Sequence, residues 1–195
     1  MKPIDLIPVG DGAPGFDVLE QLAASLARVF QTPCRIRPRV CDAAFALDGS
    51  RGQYHSTAIL HKLERAADPD VRVLGVTSVD LFVPVLTFVF GEAQLEENCA
   101  LVSTARLVEE HYGLPPNAAL LRERLLKEAA HELGHTFGLR HCRDWRCVMS
   151  SSHAVERVDV KGSEFCKACR AEVFRGESAM RQWLAGGKTS APLLR

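Results

Sequence analysis

The 195-residue chain lacks a net charge: twenty-four Lys and Arg balance twenty-four Asp and Glu. A nucleic-acid binder shows a basic excess, so that class is set aside, and no nucleic-acid partner is expected. No apolar run approaches the roughly 18 residues that a membrane helix needs, so no membrane partner is expected either. The N-terminus also lacks the pattern of a secretory signal. Such a signal has a basic start and an apolar stretch of about 7–15 residues; here Pro3, Asp5 and Pro8 interrupt that window. A cytoplasmic location is the expectation, and there clustered cysteines hold metal more often than they form disulfides. Internal repeats and low-complexity blocks are absent as well. What is present is an average globular composition, 47% hydrophobic and 25% charged, with seven cysteines and seven histidines. The length fits one domain, and a monomer is expected.

Hydrophobic periodicity sketches the fold. Residues 3–9 read as a short strand, and Phe16, Leu19, Leu22, Ala23, Leu26 and Phe30 recur at helical spacing. Residues 34–40 suggest a strand and 53–67 a helix. The β-branched run 71–77 suggests a buried strand. Residues 86–93 and 99–104 suggest two more strands. Pro115-Pro116 then stops regular structure, Asn117 is a good N-cap, and 118–137 carries the strongest helix signal. Beyond it periodicity fades until a last helix over 163–184. The picture is an α/β subdomain over residues 1–138, including the long helix, and a C-terminal subdomain over 139–195 with few apolar residues of its own.

The chemistry lies where the long helix ends, in His131-Glu132-Leu133-Gly134-His135-Thr136-Phe137-Gly138-Leu139-Arg140-His141. A helix turns about 100° per residue, so His131 and His135 share one face and can address one metal. Glu132 lies one position round, within reach of a water on that metal. Gly138 supplies the positive-φ residue that stops the helix and lets His141 swing back. Three imidazoles with an open fourth position are the ligand set of a catalytic zinc. Its bound water becomes acidic, with Glu132 as general base.

A second constellation follows directly. Four residues separate Cys142 from Cys147, two separate Cys166 from Cys169, and eighteen lie between the pairs. Four thiolates fill a tetrahedron and leave no room for water, so this spacing reads as a structural zinc. A redox CxxC would be a single pair after a strand, whereas here a matching pair precedes it. Two zinc ions per chain are therefore expected. Cys34, Cys41 and Cys99 read as buried thiols. His55, His61 and His111 read as surface or satisfied histidines, and His153 as a loop residue that could touch substrate.

The HELGHTFGLRH stretch resembles the extended zinc motif of the metzincin metallopeptidases. The added Cys142, Cys147, Met149 and later CxxC resemble one branch, the archaemetzincins; Arg51-Gly52-Gln53-Tyr54 and Phe88-Val89-Phe90-Gly91-Glu92-Ala93 are similar too. The resemblance implies an α+β fold: a twisted mixed sheet with a backing helix, an active-site helix and a small zinc-stabilised C-terminal part. It implies that Met149 forms the Met-turn floor beneath the histidines. It also implies a zinc-dependent peptidase whose peptide or protein substrate lies extended along an edge strand, with residues 86–93 the candidate. A two-zinc peptide-binding or regulatory module with little peptidase activity is the competing reading.

Overall fold

The computed structural model describes residues 1–38 and 41–175. A five-stranded sheet in the order β2-β1-β5-β8-β7 forms its centre. Its strands are β1 (Ile4–Val9), β2 (Cys34–Ile36), β5 (Arg72–Thr77), β7 (Gly91–Ala93) and β8 (Cys99–Ser103). The first four in that order are parallel, and β7 runs antiparallel to β8 at the sheet edge. A smaller sheet holds β3 (Leu47–Asp48), β4 (Gln53–His55) and β6 (Leu81–Phe82).

Strand alternation divides the apolar side chains between two layers. Ile4, Leu6, Leu74, Val76, Ala100 and Val102 face α1 (Phe16–Phe30) and α3 (Ala118–Thr136). Val9, Val73, Cys99 and Leu101 face α2 (Ser56–Ala66) through Ile59, Leu60 and Leu63. Gly75 allows that approach, because a Cβ there would meet Leu63 Cδ1 at 2.6 Å. The result is a mixed sheet between helices, as the resemblance implied. Asn117 caps α3 by accepting a hydrogen bond from Leu120 N–H at 3.1 Å, an interaction worth ~1 kcal/mol.

Four sequence expectations need correction. Residues 53–55 form a strand rather than the start of a helix, because Tyr54 and His55 pair with Leu81 and Phe82. Only Gly91–Ala93 of the 86–93 run is strand. Ahead of it the Arg51 guanidinium donates to the Leu86 and Thr87 carbonyls, both at 3.0 Å, and Gln53 donates to Thr87 as well. Side chains thus occupy acceptors that a strand would offer to a neighbour. The third correction concerns the last helix, α5 (Lys167–Val173), which starts four residues later than expected. Glu164 is used instead as a backbone acceptor for Val148 N–H at 3.0 Å, and Cys166 becomes the N-cap. A short helix, α4 (Val155–Val160), also precedes it. The part of the expected helix past residue 175 lies outside the described residues, as do residues 39–40 of the expected second strand. Finally, Cys34 and Cys41 are only half-buried, whereas Cys99 is fully enclosed.

Residues of the C-terminal segment enter the main core. Val148, Met149, Val155, Val158, Phe165 and Val173 pack in the same cluster as Leu26, Phe30 and Leu133. Among the described residues no helix is long and apolar enough to cross a membrane.

Candidate metal centre and active-site cleft

The three histidines converge as their spacing demands. His131 and His135 lie on one face of α3, with their Nε2 atoms 3.2 Å apart. The turn that brings in His141 is a Schellman motif: Gly138 N–H bonds to His135 O at 2.9 Å and Leu139 N–H to Gly134 O at 3.2 Å. Gly138 takes a φ of 84°, which a side chain would strain. The reversal also aims the Leu139 carbonyl at His135 Nδ1, 2.7 Å away. His131 Nδ1 meets the Val148 carbonyl at 2.9 Å. A carbonyl only accepts, so both Nδ1 atoms carry the proton and both Nε2 atoms present lone pairs.

Two lone pairs facing each other at 3.2 Å repel unless a cation lies between them. Zinc–nitrogen bonds of about 2.0–2.1 Å in a tetrahedron place ligand nitrogens roughly 3.3–3.4 Å apart, so the donor set fits zinc. Burial holds the protonation of His131, His135 and His141 below the ordinary imidazole range, with Lys161 adding to the effect at each. Neutral rings are the form that binds metal.

Glu132 is almost fully buried in the same cleft. Its burial, then the nearby Glu128 carboxylate, pushes its protonation well above the usual carboxylate range. Beneath the histidines, Met149 is fully enclosed against Gly134 and Phe165. His153 is exposed and lines the cleft; His55 is half-buried, while His61 and His111 are exposed elsewhere.

The four cysteines Cys142, Cys147, Cys166 and Cys169 place their sulfurs within 4.8 Å of one another. Cys142 Sγ and Cys166 Sγ are 3.8 Å apart, close to the roughly 3.8 Å that zinc–sulfur bonds of about 2.3 Å give in a tetrahedron. Cys166 N–H points at Cys147 Sγ at 3.3 Å. The Cys169 backbone N–H holds the Cys166 thiol below its usual range, whereas burial pushes Cys147 and Cys169 up. Ionising all four thiols together therefore calls for a bound cation. Cys142 N–H also bonds to Met149 O at 2.8 Å, which joins this cluster to the turn beneath the histidines.

The cleft is about 500 Å³ in volume. β7 and the segment before it form one wall, and the histidines, Glu132, Glu128 and residues 151–153 line the rest. That upper wall is held by a polar clamp. Arg106 makes a two-pronged ion pair with Asp80, both contacts at 2.7 Å, and its guanidinium lies 4.2 Å over the Phe88 ring. Gln53 bridges Asp80 to the Thr87 carbonyl, and Arg51 covers Phe82 at 4.2 Å. Glu92 sits at the N-terminus of α2, accepting from Ser56 and Thr57. The distant stretches 51–54 and 86–93 are thus one unit in space, a relation that no local periodicity signals. The sequence reading also missed Glu128 and Lys161, buried partners 2.7 Å apart behind His131.

Residues 19–175 match peptidase family M54. The chain is 47% identical over 162 residues to the archaemetzincin of Methanocaldococcus jannaschii, covering 83% of this chain and 87% of that one. The crystal structure of the Archaeoglobus fulgidus archaemetzincin, solved with malonate, superposes with a TM-score of 0.75 at 36% identity, over 87% of this chain and 99% of that one. A zinc-dependent peptidase from Methanocorpusculum labreanum superposes at 0.80 with 28% identity, over 87% and 99%. With the family matched across most of its length, the chain belongs to peptidase family M54, the archaemetzincins, and is a zinc metallopeptidase.

Proposed function

We propose that His131, His135 and His141 hold the catalytic zinc and that Glu132 is the general base of peptide hydrolysis. The observation that carries this reading is the pair of facing Nε2 lone pairs in a cleft shared with a buried, proton-hungry Glu132. When bound, zinc polarises the scissile carbonyl and makes a nearby water acidic. A Glu132 carboxylate oxygen takes the proton of the attacking water and then hands it to the departing amine nitrogen. Its desolvated surroundings suit both steps, because they raise its proton affinity above that of an ordinary carboxylate. The Nδ1 bonds to Val148 and Leu139 keep the two helix imidazoles oriented through the cycle.

The substrate is an extended peptide pairing with the outer edge of β7. Support comes from the edge position of β7 and its place in the cleft wall. Cys142, Cys147, Cys166 and Cys169 hold a second, structural zinc, which stabilises the C-terminal part of one catalytic domain, the part that also supplies His141. Gly138 makes the turn that ends the active-site helix, and Met149 is the floor of the site. The chain acts as a monomer in the cytoplasm, and its balanced charge supports the absence of a nucleic-acid partner.

A peptide-library digest comparing wild type with Glu132→Ala, both assayed for zinc, tests the reading. Cleavage by wild type alone is the expected result. Silence from both zinc-loaded proteins would favour the competing reading, a two-zinc peptide-binding or regulatory module.

A further inference from the structure

Arg72 opens β5, and its side chain reaches the turn that ends α3. Its Nη1 donates to the Thr136 carbonyl at 2.7 Å and to the Glu97 carbonyl at 2.8 Å. Its guanidinium lies 3.7 Å over the Phe137 ring, which stacks in turn on the Phe30 ring of α1. Among the described residues no carboxylate pairs with this cation, and burial lowers its pKa to about 10. Taking a cation out of water without a counter-ion is costly. What Arg72 meets in return is the open carbonyl end of α3, where partial negative charge collects.

The β7–β8 connection is held at the same place. Glu96 N–H donates to the His135 carbonyl at 3.1 Å, and Glu96 takes a φ of 65°, uncommon for a residue other than glycine. Its side chain covers Gly138, where an added Cβ would meet Glu96 Cγ at 3.1 Å. Leu95, next to it, lines the cleft. Glu96 thus joins the turn that leads to His141 to the connection that prolongs β7, and Arg72 ties both to the central sheet.

We propose that Arg72 is a positioning residue for the metal site: it fixes the turn between His135 and His141 to the β7–β8 connection, so that the ligand turn and the substrate-facing wall are set as one unit. It acts through the Thr136 and Glu97 carbonyls rather than on the imidazoles. A lysine would carry the charge but has no flat face to lie against Phe137. An apolar side chain would also leave both carbonyls without this donor.

The inference rests on the three histidines holding metal, and the wild-type chain decides that point separately. Cadmium-113 NMR of the cadmium-loaded full chain distinguishes a nitrogen-ligated site from an all-sulfur one. A wild-type spectrum without a nitrogen-site signal would overturn the metal reading itself, before any variant is compared. Chelator competition, followed by the same signals, then measures the affinity of each site. Arg72→Met should weaken the histidine site at least tenfold, the scale for losing a group that orients a metal ligand, and weaken it more than the four-sulfur site. Arg72→Lys and Phe137→Leu each remove the stack and should weaken it about threefold. Asn117→Ala, which loosens the far end of α3, should leave it at the wild-type value. Wild-type affinity in Arg72→Met would overturn the proposal, as would an equal loss in Asn117→Ala. If Arg72→Met does not fold, wild-type affinity in both Arg72→Lys and Phe137→Leu would overturn it instead.

Discussion

Gly91 on the edge strand and Glu132 on α3 meet where no side chain fits between them. A Cβ on Gly91 would lie 2.6 Å from Glu132 Cγ, 2.9 Å from its Oε1 and 2.5 Å from the Leu101 carbonyl oxygen. The carbonyl belongs to β8 and cannot yield, so an added methyl group displaces either the strand or the carboxylate. Gly91→Ala should therefore retain zinc but lose about 10²-fold in kcat, the scale expected when a reacting group moves by about 1 Å. Steady-state kinetics beside elemental analysis checks this. Unchanged kcat would mean that Glu132 has room the structure does not show.

Gly134, two residues further along α3, and Met149 form a comparable pair. Glycine inside a helix costs about 0.5–1 kcal/mol relative to alanine, so Gly134→Ala would stabilise a helix with free space around it. Here a Cβ would overlap Met149 Sδ and come within 3.2 Å of its Cε. Overpacking of about 1–3 kcal/mol outweighs the helix gain. Net destabilisation in a urea melt is expected, together with weaker zinc retention. The larger Gly134→Val should be worse, and Met149→Ala in the Gly134→Ala background should relieve part of the loss.

The histidine and cysteine clusters share backbone. His141 and Cys142 are consecutive, and Cys142 N–H donates to the Met149 carbonyl while Val148 N–H donates to the Glu164 carbonyl next to the CxxC. Removing Cys166 should loosen that frame as well as the four-sulfur cluster. Cys166→Ala is expected to lose both zincs on mild chelation, at a chelator concentration where wild type loses neither. Full retention of one zinc per chain would show the sites to be uncoupled.

Asp80 gives a pH-dependent prediction away from both clusters. Partial burial raises its pKa, but hydrogen bonds from Arg106 and Gln53 outweigh that and leave it below the ordinary carboxylate value. A carboxylate with a lowered folded-state pKa stabilises the fold above its unfolded pKa of about 3.9; the contribution fades as pH falls through the folded value. Wild type should therefore melt above Asp80→Asn at pH 6, and the gap should shrink steadily below about pH 4. Because the clamp holds Phe88 and the Thr87 carbonyl, Asp80→Asn should also raise KM more than it lowers kcat. A Tm gap constant down to pH 2.5 would rule out the ion pair as its source.

The convergence of the histidines was readable from the chain because it is local. His131 and His135 need only a helix between them, and that helix follows from Ala-, Leu- and Glu-rich composition and an Asn117 cap. Gly138 marks the stop for the same reason: backbone conformation depends on the residue itself. The four cysteines were readable because metal chemistry admits few spacings. The run 86–93 misled because it is rich in strand-forming Thr, Val and Phe, whereas the partners that take its carbonyls, Arg51 and Gln53, lie more than thirty positions away in sequence. The closeness of Gly91 to Glu132, the seat of Met149 on Gly134 and the pairing of Lys161 with Glu128 are of the same kind. Each exists only where elements distant in sequence touch, through excluded volume and hydrogen-bond geometry that no periodicity encodes.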